Sequence, residues 1–152
     1  MTIEELRISK LRIYLMQVID TIITDRKYQI NANMLSDNIN NYSLDKIPTT
    51  PEFENWIIGI KKYKDIYSLR SRMAYGQETL TNLKSMGFFE QFENIIEYNN
   101  RNGILPDIEN IESIECLNPG TMISNSDGKT AEFEIQIQIT YRKNINQPIV
   151  SL

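Results

Sequence analysis

Paired carboxylates, one run of lysines and arginines, and a single cysteine are the side chains here whose type and spacing could do chemistry. Glu90, Glu93 and Glu97 recur at three and four residues, and Glu132 and Glu134 stand two apart. Such pairs can hold a divalent cation or exchange protons. Both spacings have a plainer origin, because three and four is the step of a solvated helix face and alternate residues of a strand share a side by geometry alone. Asn125, Ser126 and Asp127 before Gly128 look like the opening of a calcium loop, yet the bidentate acid that must close it is missing, so the segment is a turn. Lys61, Lys62, Lys64, Arg70 and Arg72, opposed only by Asp65 and interleaved with Tyr63 and Tyr67, make the one basic cluster. Nucleic acid could dock on such a cluster. In a chain of formal net charge −4, a charged outer strand face or a docking surface for an acidic partner fits it better.

Histidine is absent, which excludes Ser-His-Asp and Cys-His nucleophile systems, histidine metal sites and histidine pH switches. The 6 glycines are isolated and spell neither a Walker loop nor a dinucleotide fingerprint. Cys116 has no second cysteine with which to form a disulfide or a zinc site, and is expected to be a buried structural thiol. The expectation is therefore a protein that is not an enzyme, with no catalytic residue, no cofactor and no metal. Charges interrupt the apolar residues of the first 25, as neither a signal peptide nor a membrane span allows, so a soluble, unprocessed chain is expected. Residues 1–75 carry 11 Lys/Arg and 9 Asp/Glu, while residues 76–152 carry 5 and 11. That split suggests a head-to-tail contact between copies, in which the basic cluster meets the acidic half of a neighbour.

These residues need elements to position them. Thr2 and Glu5 have the spacing of a capping box, and Ile3, Leu6, Leu11, Leu15, Val18, Ile19, Ile22 and Ile23 follow as one apolar stripe, with Arg7, Lys10 and Asp20 off it. Lys27–Ala32 alternates as a short strand. A polar stretch from Ser36 to Thr50 reads as a loop, ended by Pro48 and Pro51. Phe53–Lys61 is a second strand, with Gly59 as a bulge, and Tyr63–Tyr75 a third. On that third strand Tyr63, Tyr67, Leu69, Met73 and Tyr75 fall on one side, and Lys64, Ser68, Arg70 and Arg72 on the other. Gln77–Met86 reads as a helix stopped by Gly87, and a second helix carries Phe88, Phe89, Phe92, Ile95 and Ile96 inward until Asn102-Gly103 ends it.

The last third is the plainest. Ile111–Ile123 is extended, broken at Pro119-Gly120, and Ser126-Asp127-Gly128 supplies a hairpin loop. Ala131, Phe133, Ile135, Ile137, Ile139 and Tyr141 then alternate with Glu132, Glu134, Gln136, Gln138, Thr140 and Arg142. Twelve residues at ~3.3 Å span roughly 40 Å, which suggests a strand that outruns its neighbours in the monomer and is covered by something else. The expected fold is α+β: an antiparallel sheet of about four strands with an N-terminal helix and a central helix pair packed on one face. A single domain over 1–152 would then divide into an N-terminal helix (1–25), strands and a polar loop (26–76), helices (77–101), a long C-terminal hairpin (108–143) and a tail (144–152). The candidate assembly interface is Lys61, Lys62, Lys64, Arg70 and Arg72 together with Glu132, Glu134, Gln136 and Gln138.

Tyr67-Ser68-Leu69-Arg70-Ser71-Arg72-Met73-Ala74-Tyr75-Gly76, then Met86-Gly87-Phe88-Phe89-Glu90-Gln91-Phe92, then Asn102-Gly103-Ile104-Leu105-Pro106, and finally Ala131 to Tyr141 follow one another in a familiar order. The pattern, over roughly residues 41–143, resembles the minor capsid or tail-completion proteins of phages and phage-tail-like particles of low-GC Gram-positive bacteria. The resemblance implies a tail terminator, a subunit that forms a ring, usually of six, on the head-proximal end of a tail tube. Its partners would be further copies of itself, the tube protein, a neck or connector protein and, in a contractile tail, the sheath, with no membrane and no sequence-specific nucleic acid. The protein would be assembled in the bacterial host cytoplasm and reside in the virion or phage-tail-like particle. Another head–tail connector ring, or a small monomeric binding or immunity-type protein, is the alternative.

Overall fold

The computed structural model describes residues 2–23, 29–32, 41–48, 53–57, 60–74, 76, 79–124 and 128–144. Helix α1 (Ile3–Ile22) begins at the capping box: Thr2 Oγ1 accepts the Glu5 amide at 3.1 Å, and Glu5 Oε2 accepts the Thr2 amide at 3.0 Å. Two of the orphan donors of the first turn are thereby satisfied. Strands β1 (Gln29–Ala32), β2 (Asn41–Ile47), β3 (Phe53–Ile57) and β4 (Ile60–Ala74) follow. Next come helix α2 (Thr79–Arg101) and strands β5 (Ile111–Cys116), β6 (Thr121–Ser124) and β7 (Thr130–Asn144).

The class is α+β. The strands lie in the order β1-β2-β4-β7-β5, with β3 added beside β4 and β6 beside β7. Every pairing is antiparallel except that of β1 with β2. Strands β4 and β7 form the spine and pair without a break from Ile60↔Asn144 to Ala74↔Thr130. The over-long last strand is thus matched inside the monomer: β4 is 15 residues, as long as β7, and β5 and β6 share the other edge of β7.

The alternation in β7 sets the core. Ala131, Phe133, Ile135, Ile137, Ile139 and Tyr141 are buried on the face that also carries Tyr67, Leu69 and Met73 of β4. Leu11, Leu15, Val18 and Ile19 of α1 and Phe88, Phe89, Phe92 and Ile96 of α2 belong to the same cluster. Ring contacts fix α2 on that face, with Phe89 5.2 Å from Phe133 and Phe88 5.9 Å from Tyr42 between centroids.

Four local expectations change. The stretch read as a polar loop contains β2, because Tyr42 and Leu44 turn inward, fully buried, while Asn41, Ser43 and Asp45 stay on the polar side. Its residues 36–40 and 49–50 lie outside the described residues, as do Gly59, Tyr75 and the 125–127 part of the last hairpin loop. The strand expected over Phe53–Lys61 ends at Ile57, and Lys61 belongs to β4. The helix pair is one helix, α2, running through Gly87. Glycine there costs helix stability of about 1 kcal/mol, which burial of Phe88, Phe89 and Phe92 next to it outweighs. The real stop is Gly103, at φ +71°, where the Ile104 amide donates to Asn99 O at 2.8 Å, a Schellman closure. Finally, Arg7 is buried rather than off the packed side of α1.

Candidate assembly interface

Because side chains alternate along β4 and β7, the residues flanking the core positions all emerge on the opposite side of the sheet. Most of the candidate interface lies there, and the charges of Lys62, Arg70, Arg72 and Glu132 are matched within the chain. Arg70 sends Nε and Nη2 to Asp45 Oδ2 at 3.1 and 3.0 Å. Arg72 Nη2 stands 2.8 Å from Glu132 Oε1. Glu134 accepts from the Ser68 hydroxyl at 2.8 Å and from Gln136 Nε2 at 3.3 Å, and Gln138 Nε2 donates to Glu115 at 2.8 Å. Glu112 lies between Lys62 Nζ and Arg142 Nε, each at 3.1 Å. Lys64 stands opposite Thr140 on this face. Lys61 is apart from the rest: it faces Lys143 in register and shares the side of Tyr63. The sequence cluster is therefore a cross-strand lattice of ion pairs, and the two charge-biased halves of the chain meet inside one subunit. The candidate residues themselves are half-buried, while Glu115 and Arg142 at the margin are exposed.

The acids that suggested a cation site separate. Glu93 Oε1 accepts the Gly120 amide at 3.1 Å and so ties α2 to the β5–β6 connection, Glu97 pairs with Arg101 at 2.6 Å, and Glu90 is exposed. Among the described residues no three metal-ligating groups converge. No described helix is long and apolar enough to cross a membrane.

A second cluster lies on the core side of the sheet. Under the first turns of α1, Asp65 of β4 is buried, accepts the Tyr141 hydroxyl at 3.0 Å, and lies 3.7 Å from Arg7 and 3.9 Å from Lys46. The Arg7 guanidinium sits 4.2 Å above the Tyr141 ring, and Lys143 Nζ lies 4.7 Å from the Tyr63 ring, which stacks on Tyr141. Burial, with the Arg7 and Lys46 charges, holds the Lys143 ammonium below its ordinary value. Burial also raises the hydroxyl of Tyr141 and that of its neighbour Tyr67 well above the usual tyrosine range. An Asp at an inward position of an apolar strand was the one available signal, because a lone carboxylate there needs a cation across from it.

The third feature is apolar. Leu117, Met122 and Ile123 are 42%, 47% and 49% exposed, at the β5–β6 edge. Strand β6 pairs with β7 on one side, and among the described residues no strand pairs with its other side. It carries no charge and no proline in its four residues, so its shortness and the register shift between Met122 and Ser124 are what limit pairing at this edge.

No protein-family model matches the chain, and no curated protein matches it.

Proposed function

We propose that this chain is a structural subunit of a phage or phage-like tail, a terminator that forms a ring on the head-proximal end of the tail tube and docks to the neck. The observation that carries the reading is the open β6 edge with Leu117, Met122 and Ile123, a surface suited to a neighbouring subunit. The sequence pattern over residues 67–76, 86–92, 102–106 and 131–141 supports the class. The basic cluster contributes less than its charge suggests, since Arg70 and Arg72 are paired within the subunit.

A tube of stacked identical rings regenerates its binding surface with every ring, so the tube protein alone sets no final length. A terminator binds that end and offers a different surface outward, a stoichiometric block that needs no reacting group. The test is the mass of the purified protein alone and with tail tubes. A ring that caps tubes and stops elongation at about one ring per end is the expected outcome. Uniform tails that fail to join heads in its absence would point to a connector ring, and a monomer that ignores tubes to a binding protein.

A further inference from the structure

Helix α1 is held to the sheet in two different ways along its length. From Leu11 onward the anchorage is apolar and complete: Leu11, Leu15 and Ile19 are fully buried. Arg12 Nε donates to Ile30 O at 2.6 Å, and Tyr14 donates to Ile104 O at 2.9 Å and accepts from Asn99 at 3.1 Å. Among the described residues before Leu11, Arg7 alone is buried, while Ile3, Leu6 and Ile8 are half-buried. Ion pairs connect this part to the rest: Glu4 with Lys46 at 2.6 Å and Lys10 with Asp107 at 3.4 Å at its outer side, and Arg7 with Asp65 at 3.7 Å beneath it.

The central pair is poorly satisfied. Arg7 is 8% exposed, and its fork of N–H donors makes no hydrogen bond to a described residue. Asp65 receives one, from Tyr141. Next to them the Tyr67 hydroxyl, within reach of the Asp65, Arg7 and Glu4 charges, is fully buried with no hydrogen-bond partner. Desolvated charges without hydrogen bonds recover little of their hydration loss from mutual attraction. Water would satisfy all three groups. Against that gain stand the Arg7–Tyr141 ring contact, the two outer ion pairs and the packing of Ile3, Leu6 and Ile8, each of which is already half in solvent.

We propose that Ile3–Lys10 is a lid that lifts from the sheet while Leu11–Ile22 stays docked, with the Arg7–Asp65 pair favouring opening and the Glu4–Lys46 and Lys10–Asp107 pairs keeping it shut. Lifting uncovers Asp65, Tyr67 and Tyr141 at the β4–β7 end distant from β6. This does not rest on the tail reading.

Hydrogen exchange on the intact protein tests it. Amides of the lid should exchange through a local opening at least about tenfold faster than those of Leu15–Ile22, and more so in high salt. Ordinary fraying would give the first part as well, so the variants carry the distinction. R7M/D65N removes both buried charges and keeps an acceptor for Tyr141; it should slow lid exchange about tenfold. E4Q/K10Q, which alters only outer side chains, should speed it severalfold. The lid is refuted if its amides exchange together with Leu15–Ile22, or if both variants leave its exchange unchanged. Should R7M/D65N fail to fold, R7Q/D65N, which keeps a polar group at both positions but removes both charges, takes its place with the same expected slowing, and unchanged or faster lid exchange in it refutes the lid.

Discussion

Arg72 and Glu132 are direct register partners across the β4–β7 spine, guanidinium to carboxylate at 2.8 Å. The Arg70–Asp45 pair reaches diagonally toward β2, where the register partner of Arg70 is Ser43. Both arginines are thus committed before any second subunit arrives. Reversing them in R70E/R72E should cost the monomer about 2 kcal/mol, through broken pairs and new like-charge contacts across the strands. Adding E132R to R72E should restore most of that position's share. Urea unfolding of the monomer measures both. A reversal that leaves the midpoint unchanged yet abolishes assembly would return these arginines to the subunit interface.

Ile137 is fully buried, whereas its neighbours Gln136 and Gln138 lie on the polar face and bond to Glu134 and Glu115. Ile137→Ala should cost about 2–5 kcal/mol, from forfeited transfer energy and the cavity left behind. Gln136→Ala and Gln138→Ala should each cost less than about 1 kcal/mol. A reversed order in denaturant midpoints would mean a register displaced by one residue.

Two glycines should respond in opposite directions. At Gly87, inside α2, an added Cβ meets nothing within 4 Å. Gly87→Ala should therefore stabilise by about 0.5–1 kcal/mol through helix propensity. At Gly120 the same atom would stand 2.3 Å from Phe89 Cγ, against a ring buried in the core. Gly120→Ala should destabilise by about 1–3 kcal/mol by overpacking. Thermal unfolding of the two variants reads the signs directly.

Periodicity made β7, the long part of β4, the capped start of α1 and the Gly103 stop legible, because each rests on a local rule obeyed over many residues. Elsewhere tertiary burial overrides local preference. Tyr42 and Leu44 supply only two inward apolar residues, too few to mark β2 among its polar neighbours, until β4 provides the partner. Gly87 carries a terminator's identity, but its neighbours Phe88 and Phe89 are buried in a continuous helix. Arg7 is buried only because Asp65, 58 positions away, lies beneath it. The candidate interface was legible as residues but not as pairs, since cis pairing depends on the β2–β4–β7 register. The exposed β6 edge carries no periodic signal at all.

Cys116 supplies a prediction in pH. Its side chain is half-buried against the core rather than fully buried as expected, and burial, followed by the Glu93 and Glu115 charges, pushes the thiol from the usual 9.0 up to about 12. At pH 8 the thiolate should be scarce, so alkylation of the folded protein should run at least about a hundredfold slower than that of the unfolded chain. The same shift links to stability. A group whose value is raised on folding holds its proton more tightly in the native state, so its contribution is complete below pH 9 and is lost as pH climbs from 9 toward 12. Tyr141 and Tyr67, raised from 10.0 chiefly by burial, add losses of the same sign at higher pH. Unfolding free energy should accordingly hold level in this respect up to about pH 9 and then fall. Cys116→Ala removes the thiol's share and should flatten the decline between about pH 9 and 10 while leaving the steeper tyrosine part above it. Urea titrations of both proteins across that range make the comparison. A decline that begins at the same pH and with the same slope in Cys116→Ala would show that the thiol is not its source.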